Sequence, residues 1–166
     1  MQRPRVLVAG IGNVFRTDDG FGSEVARRLA VQPWPEGVRV VDYGIRGMHL
    51  AFDLLDRWDA LIMVDALPER GRVGEVVVIE IGPEDVGASA EGDAQVDAHG
   101  MDPVAVLASL VALGGRVPAR TLLVGCPVAE VRHGMELTPP VDAAVDEAVR
   151  VVRSLVVGAL QPTGVT

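Results

Sequence analysis

A chain of 166 residues that is 49% hydrophobic can close a sizeable core as one domain, and its formal charge of −8 argues against nucleic acid, whose phosphates need a positive face. The single cysteine excludes an intrachain disulfide and a four-cysteine zinc site, and no apolar run is long enough to span a bilayer. The opening Met-Gln-Arg-Pro-Arg leads into a strand without a leader-type hydrophobic region, so the expectation is a cytoplasmic chain with no membrane association.

Residues 6–9 form a short apolar run, the pattern of a strand buried on both faces. Gly10 and Gly12 then mark a sharp turn or a close approach to the backbone. Thr17 reads as an N-cap, with Asp18 and Asp19 at the positive end of a helix that runs through Val25, Leu29 and Ala30 to Pro33. Gly20 and Gly22 in its first turns imply that bulk is unwelcome there. Residues 38–41 are the second strand, ending at Asp42. Gly44 and Gly47 make a turn, and residues 48–55 read as a helix. Residues 59–64 are the third strand, ending on Asp65. Residues 74–81 are the fourth, and the short link between the two predicts an antiparallel pair.

Residues 82–98 are small, polar and glycine-rich, and read as a long loop that delivers His99. Asp102 and Pro103 are the N-cap and first position of a helix carrying Val104, Leu107, Leu110 and Val111, which Gly114 and Gly115 end. Residues 121–125 are the fifth strand, and Pro139–Leu160 is the last helix. Strands alternating with helices predict an α/β sandwich with one antiparallel member.

Asp19, Asp65 and His99 each sit just past or before a buried element. Parallel first and third strands would set the two carboxylates in one crevice, the place where open α/β sheets keep ligands. Two oxygens and a nitrogen with one position open suit a catalytic-type or transient nickel or zinc site, whereas hard cations take more oxygens. Plainer readings stand beside this one: Asp18 and Asp19 as helix-start charges, Asp65 as a turn cap, His99 as a structural histidine. Cys126 reads as a small core residue, and His49 and His133 as surface or turn residues. The run from Gly10 to Phe15 imitates a dinucleotide fingerprint, but Phe15 stands at its third glycine and two aspartates would repel a pyrophosphate.

Several of these stretches, in order, resemble the nickel–iron hydrogenase maturation proteases, endopeptidases that trim the hydrogenase large-subunit precursor. Gly10-Ile11-Gly12-Asn13 with Asp18-Asp19-Gly20-Phe21-Gly22 is similar to the N-terminal signature, and Asp42 with Gly44-Ile45-Arg46-Gly47-Met48 to the second glycine motif. Asp65 closes the same kind of strand. His99 matches the metal-binding histidine, and Gly125-Cys126-Pro127 with Gly134 to Pro139 resembles the C-terminal signature. The resemblance covers nearly the whole chain. It departs where Glu136-Leu137-Thr138 replaces the usual Gly-Leu-Ser and where Val128-Ala129 replaces a proline-containing pair.

The resemblance implies a three-layer α/β/α sandwich around a five-stranded, mostly parallel twisted sheet with one antiparallel strand. It also implies that Asp19, Asp65 and His99 contact metal and carry catalysis, and that Gly12, Asn13, Gly44 and Gly47 let the substrate tail lie close to the backbone. It implies nickel that arrives with the precursor, replaceable by zinc or cadmium in vitro, and a monomeric enzyme with the large-subunit precursor as partner. A non-catalytic nickel-sensing chaperone and a nucleotide-binding α/β domain are the alternatives from other classes.

Overall fold

The computed structural model describes residues 2–68, 71–91, 102–129 and 131–162. Its five strands are β1 (Val6–Ile11), β2 (Val38–Gly44), β3 (Ala60–Pro68), β4 (Val77–Glu80) and β5 (Arg120–Val128), lying side by side in the order β2-β1-β3-β5-β4. The pairs β1–β2, β1–β3 and β3–β5 are parallel, and β4 runs antiparallel to β5. Five helices cover the sheet: α1 (Phe21–Ala30), α2 (Gly47–Asp53), α3 (Pro83–Glu91), α4 (Pro103–Ala112) and α5 (Pro139–Leu160).

Side chains of successive strand residues leave opposite faces, and this alternation builds two cores. Val6 and Val8 of β1, Ile62 and Val64 of β3 and Val124 of β5 pack under α1 and α5. Leu7 and Ala9, Leu61 and Met63, and Leu123 pack against Leu50 of α2 and Leu107 and Leu110 of α4. The near-continuous apolar strands in the sequence are thus strands with both faces covered.

The expected α/β sandwich with one antiparallel strand is the fold observed. Three local expectations are corrected. The fourth strand is antiparallel, but it pairs with β5 and not with the third strand. The short link fixes its direction without fixing its neighbour. The stretch 82–98 is not loop throughout, because α3 occupies its first half. Pro83 sits at the first helical position, and the Asp85 carboxylate accepts from the Gly82 amide at 2.8 Å, a reach back over the first turn that starts a helix without an apolar stripe. Thr17 caps nothing. It opens a 3-10 turn, Thr17–Gly20, that precedes α1.

The glycine between that turn and β3 is there for space. A Cβ on Gly22 would overlap the carbonyl oxygens of Val64 and Ile11, which are fixed in the sheet. The start of α1 therefore lies against the carboxyl ends of β1 and β3, as the two early glycines implied.

Candidate functional site

Strand β1 ends in a turn held by its own backbone amides. Gly12 donates to the Gly44 carbonyl at 3.0 Å, and Asn13 to the Asp19 carbonyl at 3.1 Å and to Asp19 Oδ2 at 3.2 Å. Phe15 donates to Asn13 Oδ1 at 3.0 Å. Such a turn fixes the Asp19 side chain. Gly12 adopts φ +152°, and a Cβ there would overlap the Asp19 carbonyl oxygen, so the residue is bound to be glycine.

Asp19 is half-buried in the 3-10 turn. Asp65 lies inside β3 and not past its end, as the strand continues to Pro68 beside β5. It follows Leu61 and Met63 on the face covered by α2 and α4. Burial pushes its carboxyl well above the usual carboxylate range; the Asp19 charge and, more weakly, the Asp102 charge add to this, while a hydrogen bond from the Ala66 amide pulls it down. The first and third strands are parallel neighbours, as expected, and Asp19 is near enough for its charge to act on Asp65. Asp102 is the expected cap, accepting from the Val104 amide at 2.9 Å, and its field on Asp65 was not foreseen. His99 lies outside the described residues. Among the described residues no group of three His, Cys, Asp or Glu is placed to hold a metal ion.

Two adjoining clefts open at this edge. The smaller, about 240 Å³, is lined by Gly12, Asn13 and Gly44 with Phe15 and Ile45. Three of the four residues assigned to substrate contact thus line one pocket; Gly47 does not, being buried at the start of α2. The larger, about 560 Å³, runs between α1 and the start of α5. Val14 and Asp42 line both.

Asp18 is not a solvent-facing helix-start charge. It is fully buried, and Oδ1 and Oδ2 accept from the Thr138 amide at 2.7 Å and the Thr138 hydroxyl at 2.8 Å. The threonine that departs from the usual serine keeps the hydroxyl this bond needs. Thr17 joins the same contact: its amide donates to the Gly134 carbonyl at 2.7 Å and its hydroxyl accepts from the Arg132 amide at 3.2 Å. It does so at φ +48°, an uncommon conformation for a β-branched residue and one that concentrates at functional sites. The N- and C-terminal signatures are therefore one structural unit, a link that no local pattern in the sequence announces.

Cys126 is buried in the interior of β5, and desolvation pushes its thiol up to about 11. It is the small core residue expected, and a poor nucleophile.

Comparison with known proteins adds the lineage. Residues 23–155 match the family model described as hydrogenase maturation protease. The chain is 36% identical to the hydrogenase expression/formation protein HupD of Rhodobacter capsulatus over 90% of its own length and 72% of that protein. It is 30% identical to the hydrogenase 2 maturation protease of Escherichia coli, with 97% and 93% covered. Its fold superposes on the hydrogenase maturating endopeptidase HybD from E. coli with a TM-score of 0.76 at 26% identity, covering 93% of each chain.

Proposed function

The chain belongs to the hydrogenase maturation protease family, and from that premise we propose that it is the endopeptidase that removes the C-terminal extension of a nickel-loaded hydrogenase large-subunit precursor. In this reading Asp19, Asp65 and His99 grip the nickel that the substrate carries, and Gly12, Asn13 and Gly44 receive the adjoining tail. One observation carries the reading: a buried carboxylate, Asp65, faces the charge of a second, Asp19, at the sheet edge. Two like charges in such a place repel, and a divalent cation brought to them relieves both the repulsion and the loss of water. The donors fit a metal that comes and goes with the substrate, since two carboxylates and an imidazole leave coordination positions for it.

The nickel supplies Lewis-acid polarisation at the neighbouring peptide carbonyl. The chain's own residues do the rest. The Asn13 amide is shared between the Asp19 carbonyl and Asp19 Oδ2, so the carboxylate meets the substrate already oriented. Asp65, whose surroundings raise its proton affinity, is suited to take the proton of the attacking water.

The test is cleavage of the nickel-loaded large-subunit precursor from the same organism, followed by the mass of the large subunit. Wild-type chain should release a C-terminal peptide. Asp65→Asn and His99→Ala should stay folded and trim at least about a hundredfold more slowly. Normal trimming by both variants would overturn the assignment. Tight binding of the precursor by wild type, with no loss of mass, would make the chain a nickel-sensing chaperone instead.

A further inference from the structure

Helix α2 is apolar on two opposite sides. One side buries Gly47, Leu50 and Ala51, with Leu54 following at the helix end, over the sheet. The other presents Met48 and Phe52, one turn apart and about half exposed, with Ile45 before the helix and Leu55 after it continuing the line at the same spacing. The remaining face of the helix is polar, with His49 and Asp53, so the exposed apolar residues form one strip, and a contiguous exposed apolar line marks a contact surface. The platform is firm. The Tyr43 hydroxyl at the end of β2 donates to Asp53 Oδ2 at 2.6 Å, and Trp58 Nε1 donates to the Asp53 carbonyl at 3.0 Å.

This line runs into the smaller cleft. Ile45 is 64% exposed and also lines the smaller cleft, where it meets Phe15, 63% exposed, and the glycines proposed to receive the tail. We propose that the outward face of α2, from Ile45 to Leu55, is a docking platform for the folded body of the precursor, seated there while its tail enters the cleft. This inference rests on the protease reading above. Two features favour the precursor over a second copy of this chain. Each copy carries a formal charge of −8 and repels another. A second copy would also cover Ile45 and with it the mouth of the cleft, which the substrate must reach. Methionine and aromatic side chains are the types that anchor protein partners.

The experiment compares trimming by wild type, Met48→Asp, Phe52→Asp and the neutral double variant Met48→Gln/Phe52→Gln over a range of nickel-loaded precursor concentrations. Each variant should keep the wild-type Tm, trim at least tenfold more slowly at low precursor and recover as precursor is raised, a KM effect. Val157→Asp, an exposed apolar position on α5, should behave as wild type. Equal trimming by the α2 variants at every concentration would overturn the docking platform and leave the protease reading standing. Failure of wild type itself to trim would overturn the protease reading and this inference with it. A wild-type dimer in sedimentation that Phe52→Asp splits would assign the face to a second copy and overturn the proposal.

Discussion

Asp65 occupies a strand position whose neighbours on the same face, Leu61 and Met63, are core residues. An aspartate there loses most of its hydration, and Asp19 and Asp102 oppose its charge. Its carboxyl therefore holds a proton more tightly in the folded chain than in the unfolded one, where the ordinary value of about 3.8 applies. The sign of the linkage follows. Below that value both states are protonated and the residue costs nothing. As pH rises through the interval up to the raised folded value, the unfolded chain gives up its proton first, and stability falls relative to a neutral side chain. Asp65→Asn should accordingly raise the Tm of metal-free protein at pH 7, at roughly 2–4 °C per kcal/mol for a chain of this size, and the gain should shrink toward pH 4. Thermal unfolding of both proteins from pH 4 to 8 measures it. A wild type that gains on the variant as pH rises would show that Asp65 is held by a favourable charge partner. A residue that weakens the fold and is proposed to serve processing is what a site built to meet a cation should contain.

Between elements, the contact that decides most is Asp18 with Thr138, 120 residues apart. It fastens the 3-10 turn carrying Asp19 to the start of α5. Asp18→Ala would leave the Thr138 amide and hydroxyl without their acceptor and should cost about 2–4 kcal/mol, since bonds to a buried charge are worth roughly 1.5–3 each and are not additive. Asp18→Asn keeps one oxygen for the amide and offers an N–H to the hydroxyl, so the loss should stay near 1 kcal/mol. Urea unfolding of the three proteins separates the two, and equal losses would mean that charge and not hydrogen bonding holds the clasp. This contact also marks the limit of reading elements from sequence. Strand β1 and its glycine turn, Asp65 at the end of an apolar run, and Asp102 with Pro103 as a helix start were legible, because each is a local pattern with a local cause. The burial of Asp18 was not legible because its neighbour Asp19 has the same chemistry, and only the turn between them buries one fully and leaves the other half-buried. Helix α3 was missed because its start is set by Pro83 and Asp85 and not by an apolar period. The partner of β4 was missed because a short connection constrains direction and not position in the sheet.

For the molecule as a whole, β5 lies between β3 and β4 with α5 packed across it, so a probe inside β5 reports on the closure of one entire core. Cys126 is such a probe. With its thiol at about 11 instead of the ordinary 9, it holds about a hundred times less thiolate at neutral pH than a free cysteine, before the loss of access is counted. Alkylation by iodoacetamide at pH 7 should therefore be slower than for a free thiol by more than that factor, and should accelerate in urea in step with the loss of far-UV circular dichroism. Cys126→Ser should still trim precursor, because no step of the proposed chemistry uses the thiol. Coincident curves would mean that the core holding Val124, Cys126 and the inner face of α5 opens as one unit. Alkylation that runs ahead of unfolding would mean that β4 and β5 part locally first, and the antiparallel edge would then be the weak seam of the sheet.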